Sequence, residues 1–500
     1  MPDNIEHISI STSMSVLAAK QQLQPMKPHI VVLPSPGMGH VVPLFQLAER
    51  LVTHHACHVT FLNIPTEASP AQTQLLHHSP NNLPPGLRVI DLPTVDLSAT
   101  INGDPPVLTR LCINVQQTLL SLKSTLSQLH NKPRALVIDL FCTQAFEVCK
   151  ELSIPVYTFF TASTLLLAFS LLLPQLDREV TGEFVDLPEP VSVPGCSPIR
   201  TEDLILQVTD RKSDEYKWYL HHLSRVPLAA GIFLNTWENL EPVSIRALRE
   251  HPFYQKISTP PLYPIGPIIK ETEPLTPTGV ECLAWLDKQP LDSVVFVALG
   301  SGGTVSAEQL TELAWGLELS QQRFIWVARA PSDVNACAAF FNAGDDVYGS
   351  ISYLPQGFLE RTRGVGLVVS SWAPQVAILR HPSTAAFLSH CGWNSTLESL
   401  AQGVPMIAWP LYAEQRQNAT MLAEEIGVAV KPAVEAGTRV VGREEIEKVV
   451  RVSLEGEEGK GMRLRARELK ASASKALEFG GSSYSSLADV VEQWKAKLET

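Results

Sequence analysis

The sequence is poor in positive charge, in cysteine and in metal-binding patterns. Lysine and arginine number 39 against 51 aspartates and glutamates, which gives a formal net charge of -12 at pH 7. A chain with this balance has no general attraction for nucleic acid or acidic membrane surfaces, so neither is expected as a partner. Its eight cysteines include no C-x-x-C pair and no Cys/His array, so we expect neither a zinc site nor a disulfide framework. Free thiols are typical of the cytoplasm, where we expect the protein to act.

Signals for membrane insertion are weak. Residues 1–26 are polar and lack a basic flank followed by an apolar core, so we predict a disordered leader and not a signal peptide. Residues 156–173 carry no charge over 18 positions, the length of a marginal membrane span. The polar residues Thr161 and Ser163 interrupt this run. We therefore predict a strand over residues 156–160, a buried helix that begins near Ser163, and no membrane span.

Strands alternate with helices in both halves of the chain. An apolar run at residues 29–33 is followed by a glycine turn and a helical pattern, and the second half repeats this order from residue 294. The alternation predicts parallel sheets covered on both faces by helices, and 500 residues are enough for two domains. We therefore expect an α/β protein with two facing, doubly wound domains. The predicted divisions are a leader at residues 1–26, an N-terminal domain at 27–265, a linker at 266–285, a C-terminal domain at 286–475 and a helix at 476–500 that packs back on the N-terminal domain.

The most informative segment is residues 372–415, WAPQVAILRHPSTAAFLSHCGWNSTLESLAQGVPMIAWPLYAEQ. Ser395 and Glu398 have the spacing of a capping box, so a helix is predicted to begin there and to end at Gly403. The free N–H groups and positive dipole at a helix N-terminus suit a diphosphate. Capping boxes are common without any ligand, so these residues alone leave a purely structural role open.

As a whole, this segment closely resembles the signature box of the plant family 1 UDP-glycosyltransferases. The resemblance implies two facing Rossmann-like domains of GT-B type, with a UDP-sugar bound as co-substrate in the C-terminal domain. Its final Gln beside an acidic residue implies a glucose donor, although many family members have Asp where this chain has Glu414. Position by position, the resemblance implies that Trp372 stacks on uracil, Ala373 binds the base through its backbone, Gln375 lies near the ribose, Glu398 binds the ribose hydroxyls, His390, Asn394 and Ser395 bind the phosphates, and Trp393, Glu414 and Gln415 contact the sugar. It also implies that the turn containing Ser301 approaches the phosphates, where the residues alone leave a simple strand-to-helix turn open.

A second candidate constellation lies in the first half. His40 follows a glycine turn and begins a helix, and a helix N-terminus disfavours the imidazolium, so we expect His40 to be neutral near pH 7. Asp139 ends a predicted strand, and the ends of parallel strands line the crevice of such sheets. An Asp there can hold one ring nitrogen of a histidine base. The residues alone leave structural roles open for both, whereas the resemblance implies that His40 is the catalytic base and Asp139 its support.

The resemblance also implies the reaction. His40 would take the proton of an acceptor hydroxyl as the oxygen attacks the anomeric carbon, and UDP would leave from the opposite side, which gives a β-glucoside. The diphosphate would be stabilised by the helix dipole. The chain contains no D-x-D sequence of the kind that metal-dependent glycosyltransferases use, so no metal is expected. We expect a monomer that binds a UDP-sugar and a small, apolar, hydroxylated acceptor.

The acceptor is less well defined than the donor. Several segments, among them VVLPSPGMGHVVPL and WPLYAEQ, resemble the hydroquinone glucosyltransferase group, which acts on small phenols. Phe141, Phe159 and Phe160 are candidates to line the acceptor pocket, with buried core as the alternative for at least two of them. Another UDP-sugar, a flavonoid or terpenoid acceptor, an inactive nucleotide-sugar-binding protein and a nucleotide-dependent oxidoreductase remain alternatives. The role of the predicted surface loop at residues 331–352 stays open.

Overall fold

The computed structural model describes residues 27–77, 83–98, 100, 103, 105–271, 276–334, 336–341, 350–370, 372–434 and 439–496. The predicted leader at residues 1–26 lies outside these ranges, as do residues 342–349 of the predicted loop.

Within the described residues, the first half of the chain forms a seven-stranded parallel sheet. The strands follow the order β3-β2-β1-β4-β5-β6-β7, and each neighbouring pair is parallel. The inner strands β1, β2, β4, β5 and β6 are largely buried because helices cover both faces, whereas the edge strands β3 and β7 are partly exposed. The bounds of the seven strands are β1 His29–Leu33, β2 His58–Asn63, β3 Leu87–Asp91, β4 Ala135–Asp139, β5 Val156–Phe160, β6 Gly231–Leu234 and β7 Leu262–Pro264.

The described part of the second half forms a six-stranded parallel sheet. Its order is β10-β9-β8-β11-β12-β13, which repeats the plan of the first sheet. The prediction of two doubly wound α/β domains is therefore confirmed. The strand bounds are β8 Val294–Ala298, β9 Arg323–Ala328, β10 Gly366–Ser370, β11 Thr384–Ser389, β12 Met406–Ala408 and β13 Ala429–Val430.

The helices pack on both faces of the two sheets. Those of the first half are α1 Met38–Thr53, α2 Pro70–His77, α3 Val107–Gln117, α4 Leu119–Gln128, α5 Ala145–Leu152, α6 Thr164–Glu179, α7 Asp214–Arg225, α8 Pro242–Glu250 and α9 Pro252–Lys256. The later helices are α10 Pro277–Leu286, α11 Ala307–Ser320, α12 Phe358–Thr362, α13 Gln375–Arg380, α14 Trp393–Gln402, α15 Gln415–Thr420, α16 Arg443–Glu455, α17 Glu457–Leu477 and α18 Ser482–Ala496. A π-helix, Met421–Ile426, follows α15, and short 3-10 helices lie at Phe184–Asp186, Thr201–Asp203, Leu206–Val208, Val226–Leu228 and Ser350–Tyr353.

The strand orders fix where a ligand can bind. In each sheet the chain reverses its direction of winding at one place, between β1 and β4 in the first and between β8 and β11 in the second. Crevices form at such switch points, outside the carboxyl ends of the strands. His40 follows β1, and Asp139 is the last residue of β4. In the second sheet, Ser301 follows β8 and His390 follows β11.

The uncharged run at residues 156–173 divides as predicted. Strand β5 ends at Phe160, and α6 begins after Ser163, whose Oγ caps the helix by accepting a hydrogen bond from the backbone N–H of Leu166 at 3.3 Å. The division is caused by this cap, which satisfies a free N–H group of the first helical turn. None of the helices in the described ranges is long and apolar enough to cross a membrane.

Two elements connect the halves. Helix α10 begins within residues 266–285, for which the sequence predicted a linker, and ends one residue beyond them at Leu286. Thr276 caps it and Pro277 occupies its first turn, a position that proline favours. Helix α18 returns to the first sheet, where Trp494 is fully buried and meets Tyr157 edge to face at 5.4 Å. The core of the first half therefore contains residues from the far end of the chain.

Candidate active site

One cavity of about 420 Å³ lies between the two halves. Its walls come from the loops that follow β1, β4, β8 and β11, as the strand orders require. All residues predicted for catalysis and donor binding except Asp139 line it: His40, Ser301, Trp372, Ala373, Gln375, His390, Trp393, Asn394, Ser395, Glu398, Glu414 and Gln415. Asp139 is fully buried directly behind His40.

His40 and Asp139 form a hydrogen-bonded pair at the switch point of the first sheet. His40 is the third residue of α1, and its Nδ1 lies 2.8 Å from Asp139 Oδ2. The other carboxylate oxygen, Oδ1, accepts hydrogen bonds from Ser35 Oγ at 2.7 Å and from the backbone N–H of Phe141 at 2.9 Å. Thr161 Oγ1 lies 3.2 Å from His40 Nδ1. The contacts fix the ring and leave Nε2 as the ring nitrogen available to a ligand.

The expectation that the helix N-terminus keeps the pKa of His40 low is wrong. Burial does lower that pKa, but the charge and hydrogen bond of Asp139, together with the charge of Glu414, raise it more, so it lies above its ordinary value of 6.5. Burial raises the pKa of Asp139, but the charge of the His40 cation and the hydrogen bonds to the carboxylate lower it more, so this pKa lies below its ordinary value. Two carboxylates around one imidazole outweigh the partial charge of a helix end.

His390 has the opposite environment at the other end of the cavity. Burial and, secondarily, the guanidinium of Arg329 lower its pKa to about 4, so the ring is neutral at physiological pH. The ring lies against Gly300 and Gly392; a Cβ atom at either position would come within 2.4 Å of it. Gly300 also has a φ of 77°, which favours glycine. No group within the described ranges hydrogen-bonds to His390 Nδ1.

The predicted capping box is wrong in its details. Helix α14 begins at Trp393, two residues before Ser395, and Gly392 is its N-cap residue without a side-chain hydrogen bond. Ser395 and Glu398 instead both accept hydrogen bonds from Gln375 Nε2, at 2.9 and 2.6 Å. Glycine as the cap leaves the N-terminal N–H groups open to a ligand, and the side chains that the sequence assigned to capping point into the cavity with Gln375.

Two residues of the donor box also bond to the first half. Asn394 Nδ2 donates a hydrogen bond to the backbone carbonyl of Gly39 at 2.8 Å, immediately before His40. The Trp393 indole N–H donates to the backbone carbonyl of Asn235 at 2.8 Å. The side-chain N–H of Trp393 is thus used between the halves, and a contact with a sugar would come from its backbone or ring.

Glu414 and Gln415 lie where α15 begins. Gln415 Oε1 accepts hydrogen bonds from the backbone N–H groups of Leu411 and Tyr412 at 2.9 and 3.0 Å, so only its NH2 end can serve a ligand. Glu414 Oε1 lies 3.3 Å from Asn418 Nδ2. Burial raises the pKa of Glu414, while the charge of His40 opposes the rise. The carboxylate of Glu414 therefore faces the same part of the cavity as His40.

Trp372 closes one end of the cavity. Its ring packs near Met38 and Val42 of α1, and Lys270 Nζ lies 5.7 Å from its centroid, within the range of a cation–π contact. Ala373 is buried beside it, so its backbone is its main group within reach of a ligand. An indole at the edge of a cavity can stack on a flat base.

The end of the cavity next to His40 is apolar. Phe141 lines it, with its ring 5.4 Å from that of His40. Phe159 and Phe160 do not reach the cavity, since both are fully buried in the sheet core, which is the alternative that the sequence left open for two of the three. The other apolar walls are formed by Leu108, Leu111, Leu140, Leu166 and Ile205.

Sequence reasoning missed several residues of the site. Ser35 holds Asp139, and its place after β1 was a usable signal, because that loop meets the end of β4. Arg329, directly after β9, lines the cavity within electrostatic range of His390; its position at a strand end was a comparable signal. Phe340 also lines the cavity, and no local pattern marked it. The described residues contain no cluster of three or more His, Cys, Asp or Glu side chains that could hold a metal ion.

Comparisons with known proteins agree with this geometry. Residues 260–464 match the family described as UDP-glucoronosyl and UDP-glucosyl transferase. The chain is 45% identical over 474 residues to anthocyanidin 3-O-glucosyltransferase 5 of Manihot esculenta, covering 95% of this chain and 97% of that protein. It is 45% identical over 478 residues to hydroquinone glucosyltransferase of Rauvolfia serpentina, covering 95% and 99%.

Solved structures share the whole fold. TcCGT1 in complex with UDP is 48% identical, with a TM-score of 0.88 over 94% of this chain and 100% of that one. UGT2 of Phytolacca americana, in complex with UDP-2fluoro-glucose and pterostilbene, is 42% identical, with a TM-score of 0.83 over 94% and 100%.

The electrostatics of the His40 pair can be tested directly. Asp139→Asn removes the carboxylate that outweighs burial, so the pKa of His40 should fall from a value above 6.5 in the wild type, and the neutral ring should predominate at lower pH. An NMR titration of the imidazole Cε1 signal, assigned with His40→Gln, measures the shift. Ser35→Ala is the control, because it keeps the charge and should move the pKa less. An unchanged pKa in Asp139→Asn would contradict the assignment.

Proposed function

Because the chain belongs to the plant family 1 UDP-glycosyltransferases, we propose that it transfers glucose from UDP-glucose to a hydroxyl group of a small phenolic acceptor and inverts the anomeric configuration. The observation that carries the proposal is the single cavity in which the His40–Asp139 pair faces the donor box. The 45% identity to a hydroquinone glucosyltransferase supports the acceptor class. The apolar walls around Phe141 fit an aromatic ring.

His40 acts as the general base. Its Nδ1 is held by Asp139, so Nε2 takes the proton of the acceptor hydroxyl while that oxygen forms a bond to the anomeric carbon. The bond from this carbon to the diphosphate oxygen breaks, and UDP leaves from the opposite face. Asp139 stabilises the imidazolium that forms. No covalent intermediate with the protein is required, since the acceptor displaces UDP directly.

The leaving diphosphate meets donors that lie ready in the second half. The open N-terminus of α14 offers backbone N–H groups, and His390 and Ser301 line the same wall. Arg329 adds a charge: burial lowers its pKa, but a guanidinium stays protonated in proteins. In a chain with a net charge of -12, this local positive potential is what attracts a dianion.

Recognition of the base, ribose and sugar follows the same cavity. Trp372 stacks on uracil, and the Ala373 backbone bonds to the edge of the base. Gln375 and Glu398 are already joined and lie ready for the ribose. Glu414 and the NH2 end of Gln415 reach the glucose hydroxyls, which is the role that the family resemblance implies.

A larger polyphenol is the second candidate acceptor. The identity to an anthocyanidin 3-O-glucosyltransferase is also 45%, over a similar length, and a solved relative holds pterostilbene. The apolar end of the cavity is bordered by leucines and Phe141, surfaces on which a larger aromatic system can also pack. Product analysis with both classes separates them.

Loss of the base should abolish transfer without abolishing donor binding. In His40→Ala, the rate of glucoside formation from UDP-glucose should fall by about 10²–10⁴-fold, the usual contribution of a general base, while UDP affinity stays unchanged. Product mass spectrometry against simple phenols, monolignols, flavonols and terpenoid alcohols measures the rate and the acceptor class. His58→Ala, at an exposed position of the same half, is the control. Retained turnover in His40→Ala would overturn the role of His40, and no transfer by the wild type would favour an inactive binder.

Arg329 should act on the diphosphate and not on the nucleoside. Arg329→Gln should weaken UDP binding by about tenfold, equivalent to ~1.4 kcal/mol, and leave uridine binding unchanged; titration calorimetry measures both. Arg323→Gln, at the other end of β9, is the matched control and should change neither affinity. An equal loss for uridine and UDP would indicate a structural role.

We extend the proposal to a metal-independent, cytoplasmic monomer. All eight cysteines lie among the described residues and are free thiols, which supports a reducing compartment. Because His40 and the α14 terminus supply the base and the charge stabilisation, EDTA should leave the transfer rate unchanged. A rate lost with EDTA and restored by Mg²⁺ or Mn²⁺ would contradict this; sedimentation and a fluorescent fusion would check the monomer and its location.

A further inference from the structure

The described residues 332–334 and 336–341, which we name the crossing segment, follow β9 and extend from the second half across the cavity. Its start is attached by two backbone hydrogen bonds to the residues that follow the 300–303 glycine turn: Thr304 N–H to the Ala336 carbonyl at 2.9 Å, and Ser332 N–H to the Val305 carbonyl at 2.9 Å. The crossing segment is therefore anchored to the wall that faces the diphosphate.

The far end of the crossing segment is anchored to the first half. The Phe341 ring lies under the guanidinium of Arg110, 4.7 Å from Cζ to the ring centroid. Arg110 is itself held by Glu67, with Nη2 and Oε1 2.7 Å apart. The segment is thus fixed at both ends, and Phe341 is absent from the residues that line the cavity.

Phe340, between these anchors, does line the cavity. The tip of its ring touches the turn that precedes His40 so closely that a Cβ atom at Gly37 would come within 2.4 Å of Cζ. Gly37 has a φ of 108°, so glycine is required there for its backbone as well as for this contact. The ring also packs against the core cluster of the first half.

The backbone of Phe340 lies over the glycine turn of the second half. A Cβ atom at Gly302 would be 3.2 Å from Phe340 Cα. One residue therefore contacts both glycine turns, the one that carries the base and the one that faces the diphosphate. If His40 is the base and the 300–303 turn faces the diphosphate, as proposed, the bond that breaks would lie between these two turns and Phe340 would be the apolar wall next to it.

We propose that Phe340 keeps water away from the anomeric carbon and so determines that the sugar is transferred to an aromatic acceptor and not hydrolysed. This inference rests on the proposed function. Water can use the same base: its oxygen would bond to the anomeric carbon, its proton would pass to His40, and glucose and UDP would form. A phenol loses its proton to a base more readily than water does, but the base alone does not exclude water from the site. Apolar closure does, because it removes water and leaves a surface on which an aromatic ring packs.

Substitutions of Phe340 and Phe341 can distinguish exclusion of water by the cavity wall from attachment of the crossing segment to the first half. Phe341→Ala weakens the anchor on Arg110 but leaves the cavity wall intact, whereas Phe340→Ala opens the wall and keeps the anchor. Phe340→Leu keeps an apolar group of smaller reach. A merely structural role of the segment predicts equal effects of the two alanine substitutions, while the proposed role predicts that they differ.

The experiment measures two products from UDP-glucose in one reaction: free glucose, and glucoside of hydroquinone. We expect Phe340→Ala to raise the ratio of hydrolysis to transfer several-fold and to raise KM for the phenol, with Phe340→Leu between it and the wild type and Phe341→Ala close to the wild type. UDP affinity, measured separately, checks that each variant is folded. A ratio unchanged in Phe340→Ala, or raised equally in Phe341→Ala, overturns the inference while wild-type transfer still supports the function. Absence of transfer by the wild type overturns both.

Discussion

The Asn394 side chain donates a hydrogen bond to the Gly39 carbonyl across the cavity, and the site depends on this contact between halves. The proposed donor residues follow one sheet and His40, the proposed base, follows the other, so neither half contains all of the site residues. The Asn394 bond joins the first turn of α14 to the residue before His40. Trp393 supports it through the Asn235 carbonyl, and the distance from base to donor is therefore set by the interface and not by either fold.

Two histidines in the same cavity have opposite pKa shifts, and their neighbours decide the direction. His40 is surrounded by the carboxylates of Asp139 and Glu414, which raise its pKa despite burial. His390 is buried near Arg329, and its pKa falls to about 4. The pKa of His40, the proposed base, therefore lies above its ordinary value, while the ring of His390 stays neutral at physiological pH. An acidic chain can therefore contain a locally positive cavity wall around Arg329, because the electrostatic potential at a site depends mainly on its nearest charges.

The sequence predicted those features that depend on local order. Strand and turn positions follow from apolar runs and glycines, and the positions of the cavity residues follow from the donor box and from strand ends. The pKa direction of His40 was predicted wrongly because the helix N-terminus was given more weight than the charge and hydrogen bond of Asp139. Glu414 adds to the rise, and its approach depends on the packing of two domains. Phe340 was missed for a related reason: only the fold brings it to Gly37. The capping box failed because Gln375, twenty residues earlier than Ser395, takes both side chains.

Helix α18 is synthesised long after the first sheet on which it packs, and this delay affects how the first domain folds during translation. The first sheet is finished at Pro264, yet its core includes Trp494 and other residues of α18. A nascent chain at the end of β7 therefore exposes the apolar face around Tyr157 and Phe233 that Trp494 later covers. At about 5–20 residues per second, the ribosome needs on the order of tens of seconds to supply that helix. During this interval the first domain is a partly open intermediate that chaperones can bind, while the second domain is still being translated.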